Sequence, residues 1–424
     1  MITKIEAVNF RCLRNVSQEL GHFHVFTGPN GSGKSTFLEV PQLLAAFAGE
    51  GLEAVWHQAR AESFDEMLFH GQGESLQWAV ECRIPEAVRN QAGNGKETPY
   101  HFIRYEVEIG GDYGMTPSEE PPAILAENLW LLPKTQEVAR SGLVQDELLF
   151  PSASAPARKL IHHKAPAGWA KSASKSRNGN AYFKDEKTKF NLLIRNPAGK
   201  SALSTLPEDE TRFPLSNWFR NELGSRVQRI MLRSEAMQSP SSPLKERRFA
   251  VDGSNLPQVV RELKKNKPAW LGWLDHVRTI LPIRDIEVRE LEATRSLFLV
   301  VQYESGHAVK SWHLSDGTLR LLALTLLAYI EDTGSIYLIE EPENGVHPQA
   351  IEAVFLSLSS LSEGQALLAT HSPVLVAQVT AEQLLCFSKR GDETDILSGD
   401  RHPKLKDWKG ALNLSHLYAA GVLS

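Results

Sequence analysis

The first ten residues, "MITKIEAVNF", alternate apolar and polar positions, the period-two pattern of a half-buried strand. Phe23, Val25 and Phe26 repeat that rhythm, and "KSTFLEVPQLLAAF" from Lys34 onward reads as the start of a helix. Far downstream, "SWHLSDGTLRLLALTLLAYIED" (311–332) is apolar on nearly every side of a helix, which places that helix in a core. Two short apolar runs follow, "SIYLIEEP" and "QALLATHSP", and each predicts a strand that stops on ionisable residues. The middle of the chain has a different texture. Pro/Ser-rich stretches at 114–123, 151–158 and 237–247 punctuate it. The run Arg177-Asn178-Gly179-Asn180 predicts a hairpin turn, with strands around Ala181–Lys184 and Phe190–Ile194. Short helices are predicted at 256–266 and 270–281, separated by Pro268, and no heptad persists long enough for a coiled-coil arm.

Composition narrows the class only slightly. The 424 residues leave room for two to four domains, and 42% hydrophobic with 23% charged content is that of an ordinary globular protein. No stretch approaches the roughly 18–20 uncharged apolar residues of a membrane helix, and the N-terminus lacks the apolar centre of a signal peptide. Three scattered cysteines, Cys12, Cys82 and Cys386, read as thiols of a reducing compartment, so a cytoplasmic protein without membrane contact is expected. A net charge of −5 does not preclude a basic face.

Candidate chemistry changes the picture more. Gly28-Pro29-Asn30-Gly31-Ser32-Gly33-Lys34-Ser35 fits G-x-x-x-x-G-K-[ST] between a predicted strand and a predicted helix. Glycines let backbone amides face phosphate oxygens, and the helix N-terminus adds its positive end. Asn30, Gly31, Ser32, Gly33, Lys34, Ser35 and Thr36 are therefore the candidate ATP-binding residues, with Lys34 reaching the β/γ-phosphates and Ser35 on Mg²⁺. The turn Leu314–Thr318, with Ser315 as a natural N-cap and Gly317 behind it, is a second candidate anion site. Glu340 and Glu341 end an apolar run, and burying two carboxylates there calls for a compensating cation such as Mg²⁺ on a triphosphate. Glu343, beyond Pro342, reads as a solvated turn residue; His313 and His347 read as local structure.

The order of these stretches resembles the head of an ABC-type ATPase, in the branch with Rad50, RecF, SMC and OLD proteins. It is most similar to the short prokaryotic AAA15/AAA21-type ATPases. "NFR" at 9–11, "GPNGSGKST", "LSDGTLR", "EEPENGVHP" and "ATHSP" carry the resemblance, with weaker support from "DGSNLP". It covers 1–80 and 286–424 well and the middle loosely. The resemblance implies an α/β fold: a P-loop sheet with flanking helices and an antiparallel β lobe, interrupted by a large α+β insert. The implied domains are 1–90, 91–285 and 286–424. It implies that Glu340 holds Mg²⁺ through water, that Glu341 is the general base, and that Lys34 and His371 complete the catalytic set around the γ-phosphate. Many relatives carry aspartate where Glu340 stands, one methylene shorter. Ser315 and Gly317 would close on the nucleotide of a second subunit, giving a homodimer with ATP between its heads and scope for a larger assembly. The Q-loop glutamine falls to Gln72 or Gln77.

From Arg158 to Lys200 the cations are 158, 159, 164, 171, 175, 177, 184, 187, 189, 195 and 200, against Asp185 and Glu186 alone. With Trp169, Tyr182 and Phe183 interleaved, this stretch suits contact with nucleic acid or a protein, or else a solvated edge sheet protected by lysines. The segment after His371 is too short for the Toprim nuclease of OLD relatives. By resemblance, the expected role is an ATP-binding and hydrolysing sensor or regulatory subunit of a bacterial anti-phage system, controlling a separately encoded effector such as a nuclease. The alternative is a RecF-like DNA-binding ATPase of repair or replication.

Overall fold

The computed structural model describes residues 1–93, 98–111, 122–134, 159–177, 179–188, 190–242, 248–330, 334–361 and 364–402. The chain forms two compact units. The first comprises Met1–Gly21, Gly31–Val227 and Ser388–Ile396; the second comprises His22–Asn30, Gln228–Phe387 and the residues from Leu397 onward.

The first unit is built on an eight-stranded sheet, antiparallel throughout. Its order is Leu13–Glu19, Ile2–Phe10, Ser75–Arg83, Tyr100–Gly110, Ala123–Pro133, Ala170–Ser176, Asn180–Lys184 and Asn191–Arg195. The sheet is thus continuous across residue 91. One face is packed by the helices Lys34–Glu50 and Pro214–Arg226, through the ring contacts Phe47–Tyr105 and Tyr105–Phe219. The N-terminal strand and the 180–195 hairpin lie where the sequence pattern predicts them. Gly179, at φ +83°, supplies the left-handed residue between Ala170–Ser176 and Asn180–Lys184.

The second unit contains a parallel sheet in the order Ile336–Glu340, Gln365–Ala369, Phe23–Thr27 and Leu384–Arg390, with Val227–Ile230 beyond Ile336–Glu340. Such strands are covered on both faces and read as continuous apolar runs; Gln365–Ala369 and Phe23–Thr27 are buried at every position. The helix Asp316–Leu326 lies in the same core with Leu319, Leu321, Leu322 and Leu324 buried, as its all-round apolarity predicts. Its Thr325 hydroxyl accepts from the Trp273 indole of the helix Lys267–Arg278 at 3.0 Å. Pro268 starts that helix, in its first turn, where the missing N–H costs nothing. A three-stranded antiparallel sheet, Ile283–Glu290, Leu297–Tyr303 and Ala308–Lys310, completes the unit. A parallel nucleotide-binding-type sheet with flanking helices and an antiparallel β lobe is the expected fold class. Among the described residues, no helix is long and apolar enough to cross a membrane.

Candidate nucleotide site

Parallel pairing brings three strand ends together at one edge of the second unit. Glu340 is in register with Ala369, and Ala369 with Phe26. The Thr370 N–H donates to the Phe26 carbonyl at 3.0 Å, so the start of the phosphate loop, the acidic turn and the Thr370–His371 turn are neighbours. Ligands of open α/β sheets bind at such carboxyl ends.

The loop itself is shaped by glycine. Gly28 sits at φ +147°, and a Cβ there would lie 2.1 Å from the Phe387 carbonyl oxygen. In the first unit Gly33, at φ +102°, would place a Cβ 2.4 Å from the Thr394 hydroxyl. That hydroxyl donates to the Ser32 carbonyl at 3.0 Å, and the Thr394 N–H donates to the Cys12 carbonyl at 3.1 Å. Thr394 is a loop support that sequence reasoning missed, because nothing local ties it to residue 32. Lys34 is buried and begins the helix Lys34–Glu50; its N-cap is Gly33, so no side chain caps the first turn. The Ser32 hydroxyl is buried with no hydrogen-bond partner among the described residues, whereas a Cβ on Gly31 would meet open space. A glycine-shaped turn, an uncapped helix start, an unanswered hydroxyl and a lysine are the features that suit phosphate, and Ser35 in the first unit and Glu340 in the second each carry a hard oxygen donor of the kind Mg²⁺ takes. Among the described residues there is no cluster of three His, Cys, Asp or Glu side chains for a metal. Arg11 of "NFR" also has a local reason: its guanidinium binds Glu39 and donates to the Ala59 carbonyl at 2.8 Å, bracing the first two helices.

The acidic turn differs from the buried pair that the pattern suggests. Ile336 to Ile339 are buried, but Glu340 is half-buried and Glu341 is exposed. Glu340 is ion-paired with Arg229 from Val227–Ile230. Glu341 takes a left-handed φ of +48°, its N–H donates to the Ala369 carbonyl at 2.7 Å, and the Asn344 side chain approaches its carboxylate at 3.4 Å. The chain therefore turns as it leaves the strand and sends the second carboxylate outward.

Glu343 is not the solvated turn residue the sequence suggests. Its Oε1 accepts from the Thr370 hydroxyl at 2.6 Å and from the His371 N–H at 3.1 Å. His371 itself is half-buried. His347 caps the helix Pro348–Ser359, accepting from the Gln349 N–H, and His313 packs against Trp312; both are local structure, as expected. Gln77 donates to Glu108 at 2.9 Å and accepts from the Leu160 N–H at 2.8 Å. With both ends engaged in the sheet, it does not suit a nucleotide-facing role, whereas Gln72 is exposed. Ser315 caps the helix Asp316–Leu326, accepting from the Thr318 N–H at 3.3 Å. Gly317 has a reason inside the chain, since a Cβ there would lie 2.5 Å from the Gly345 carbonyl oxygen.

Residues 140–377 match the family described as "AAA domain, putative AbiEii toxin, Type IV TA system", more than half of the chain. The chain belongs to this AAA21 family. The matched span holds Ser315, Gly317, Glu340, Glu341 and His371, and begins after the phosphate loop. Solved structures similar to this AAA21 protein include an SMC head bound to the C-winged helix domain of ScpA, at 12% identity and TM-score 0.48, covering 93% of this chain and 97% of that one. A second is a Pyrococcus furiosus SMC head with an extended coiled coil bound to the C-terminal domain of ScpA, at 12% identity and TM-score 0.45, covering 93% and 95%. A third is the Thermotoga maritima SMC head domain, at 11% identity and TM-score 0.39, covering 94% and 98%. No curated protein matches the chain.

The basic stretch divides. Lys171 reaches Asn128 and lies 4.5 Å from the Trp130 ring centre, while Lys175 is buried and donates to the Pro197 and Ala198 carbonyls. Trp169 packs on Trp130 and His162, and Phe183 is core. Tyr182 and Leu193, cross-strand partners, are 42% and 57% exposed, with Lys184 and Arg195 on the same face of the hairpin. Arg158, Asn178 and Lys189, residues 114–121 and 243–247 of the Pro/Ser-rich stretches, and all of 151–158 lie outside the described residues.

Proposed function

We propose that this protein binds ATP with Mg²⁺ and hydrolyses it, and that it works as a two-headed switch on a separately encoded effector in an anti-phage module. The observation that carries this reading is the single sheet edge on which Thr27–Asn30, Glu340–Glu341 and Thr370–His371 are neighbours. Lys34 and the amides of Gly31–Thr36 hold the phosphates. Glu341, turned outward by its left-handed backbone, orients the attacking water and takes its proton. His371 hydrogen-bonds at the γ-phosphate end. When bound, Mg²⁺ neutralises charge on the β- and γ-oxygens, with Ser35 and Glu340 as its protein-side anchors. Ser315 and Gly317 serve the nucleotide of a second copy, so that ATP joins two heads. The family description, "putative AbiEii toxin, Type IV TA system", supports pairing with a second gene product.

The deciding experiment measures ATP binding by calorimetry and phosphate release with the purified protein. Wild type binds and hydrolyses, and Lys34→Ala does neither. With ATP, Glu341→Gln sediments as a dimer, and Ser315→Arg prevents that association while each monomer still binds nucleotide. A wild-type protein that neither binds nor hydrolyses ATP ends the reading. Co-purification from the native gene neighbourhood identifies the effector.

The hairpin face of Tyr182, Lys184, Leu193 and Arg195 favours a second reading, a RecF-like ATPase that touches nucleic acid. An exposed aromatic among cations suits single-stranded backbone and base stacking. In that case single-stranded DNA binding weakens steeply with salt, and Tyr182→Ala weakens it further.

A further inference from the structure

We propose that Glu343 is a positioning residue: it sets the place of His371 relative to Glu341, so that the third carboxylate of "EEPE" serves hydrolysis through its neighbours. This rests on the hydrolysis reading above.

The connections are specific. Glu341 is tied to the strand Gln365–Ala369 by its own backbone, N–H to the Ala369 carbonyl at 2.7 Å. Two residues on, the Glu343 side chain reaches the next two residues of that same segment, Thr370 and His371. Thr370 is fully buried; its N–H donates to Phe26, and its hydroxyl accepts from the Ser372 N–H at 2.9 Å while donating to Glu343. Ser372 in turn caps the short helix Pro373–Val376. Three consecutive residues, 370 to 372, are therefore held in one network, to which the Phe26 carbonyl contributes a backbone anchor and the Glu343 carboxylate a side-chain one. The Glu343 carbonyl meanwhile accepts from the Val346 N–H at 3.0 Å, which fixes the turn from which the side chain projects.

Only Oε1 carries these bonds. Oε2 is buried without a hydrogen-bond partner among the described residues. A carboxylate serving as a metal ligand or proton carrier would need its charge. A tether needs only one acceptor oxygen, and glutamine keeps that. The two roles therefore separate by substitution. An alanine at 343 removes the acceptor that the His371 amide and the buried Thr370 hydroxyl share. Because neither group belongs to the phosphate-gripping loop, the loss falls on turnover rather than on nucleotide capture.

The test compares Glu343→Ala, Glu343→Gln, Thr370→Val and Thr370→Ser in the full chain, with steady-state ATPase kinetics, ATP binding and amide hydrogen exchange. Expected for Glu343→Ala is a fall in kcat of about 30-fold or more, with KM and ATP affinity within about 2-fold. Its His371 amide exchanges faster. Glu343→Gln and Thr370→Ser stay within about 5-fold of wild type, and Thr370→Val matches Glu343→Ala. The Glu343→Ala/Thr370→Val double variant is no worse than the weaker single by more than about 2-fold, since one connection is cut only once. A Glu343→Ala protein with wild-type kcat overturns the proposal, as does one that loses ATP affinity along with kcat. Glu343→Gln as impaired as Glu343→Ala overturns it in favour of a charge role. A wild type without ATPase activity instead fails the hydrolysis reading and takes this proposal with it, so the two failures are told apart by the wild type alone.

Discussion

In the first compact unit three carboxylates, Glu6, Glu81 and Glu106, close around the guanidinium of Arg104, whereas in the second Glu340 meets Arg229 while Glu341 and Glu343 are both tied to the 369–371 segment. Arg104 binds Glu6, reaches Glu81 at 3.0 Å and Glu106 at 2.7 Å, and all four are buried. Glu106 also receives the His162 N–H, and Arg104 approaches the Leu160 carbonyl, so the cluster pins the 160–162 segment across the sheet. At the strand ends, Glu340 meets Arg229, Glu341 is turned out by its backbone, and Glu343 holds the Thr370–His371 turn. Both groups gather negative charge. One is met inward by buried neighbours; the other stands at a half-exposed edge, where the proposed function would bring Mg²⁺ with the nucleotide. Burial with mutual saturation marks architecture, and partial exposure with a braced scaffold marks a site.

Cutting the central ion of the first group has the largest effect. Arg104→Ala removes the cation that three buried acids share, leaving Glu6 with Lys4 and Glu106 with His162, and is expected to lower stability by about 3–5 kcal/mol, read as a shift in the urea midpoint. If stability is unchanged, the cluster is not structural and the contrast fails. In the second group, Glu341→Gln leaves the urea midpoint in place while single-turnover hydrolysis falls about 100-fold or more, equivalent to about 2.7 kcal/mol of barrier. Next comes Gly317→Ala, whose new Cβ meets the Gly345 carbonyl. It costs about 1–3 kcal/mol of stability in the protein by itself, which distinguishes close packing within the chain from a role felt only on association.

The smallest effect is a pH slope. Burial alone would raise the Glu6 carboxyl, but the Arg104 and Lys4 charges outweigh it and hold it at about 2, below its ordinary 4.5. The folded form therefore keeps a charge that the unfolded chain gives up first. The contribution is complete above pH 4.5 and fades as the pH falls toward 2, with a slope of at most about 1.4 kcal/mol per pH unit from this group. Urea midpoints between pH 5 and pH 3 should show that slope in wild type and a shallower one in Arg104→Ala.

What was readable without coordinates were the features written locally. The glycine-lysine loop, the strand that stops at Glu340, the strand that stops before Thr370 and the Ser315 cap each lie within one short run, and periodicity or turn chemistry exposes them. The partners that brace these stretches are written nowhere near them. Arg229 lies 111 residues from Glu340, Thr370 lies 27 from Glu343, and Thr394 lies 362 from Ser32. Their meeting depends on strand order and register, which local sequence does not encode. The same holds for Lys171 and Lys175, which count as surface cations in a charge tally and turn out to be packed against Trp130 and the 197–200 carbonyls. Glu343 was misread for one reason: a polar residue after a proline looks like solvent-facing punctuation unless the opposite strand end is known to sit beside it.

Glu341 adopts a backbone angle that side-chain-bearing residues avoid and glycine accepts freely. A library selected for heat tolerance alone would therefore be expected to drift away from glutamate at this position, yielding hardier proteins that no longer turn over. Survival of the acid under such selection would mean that some demand other than folding keeps it there.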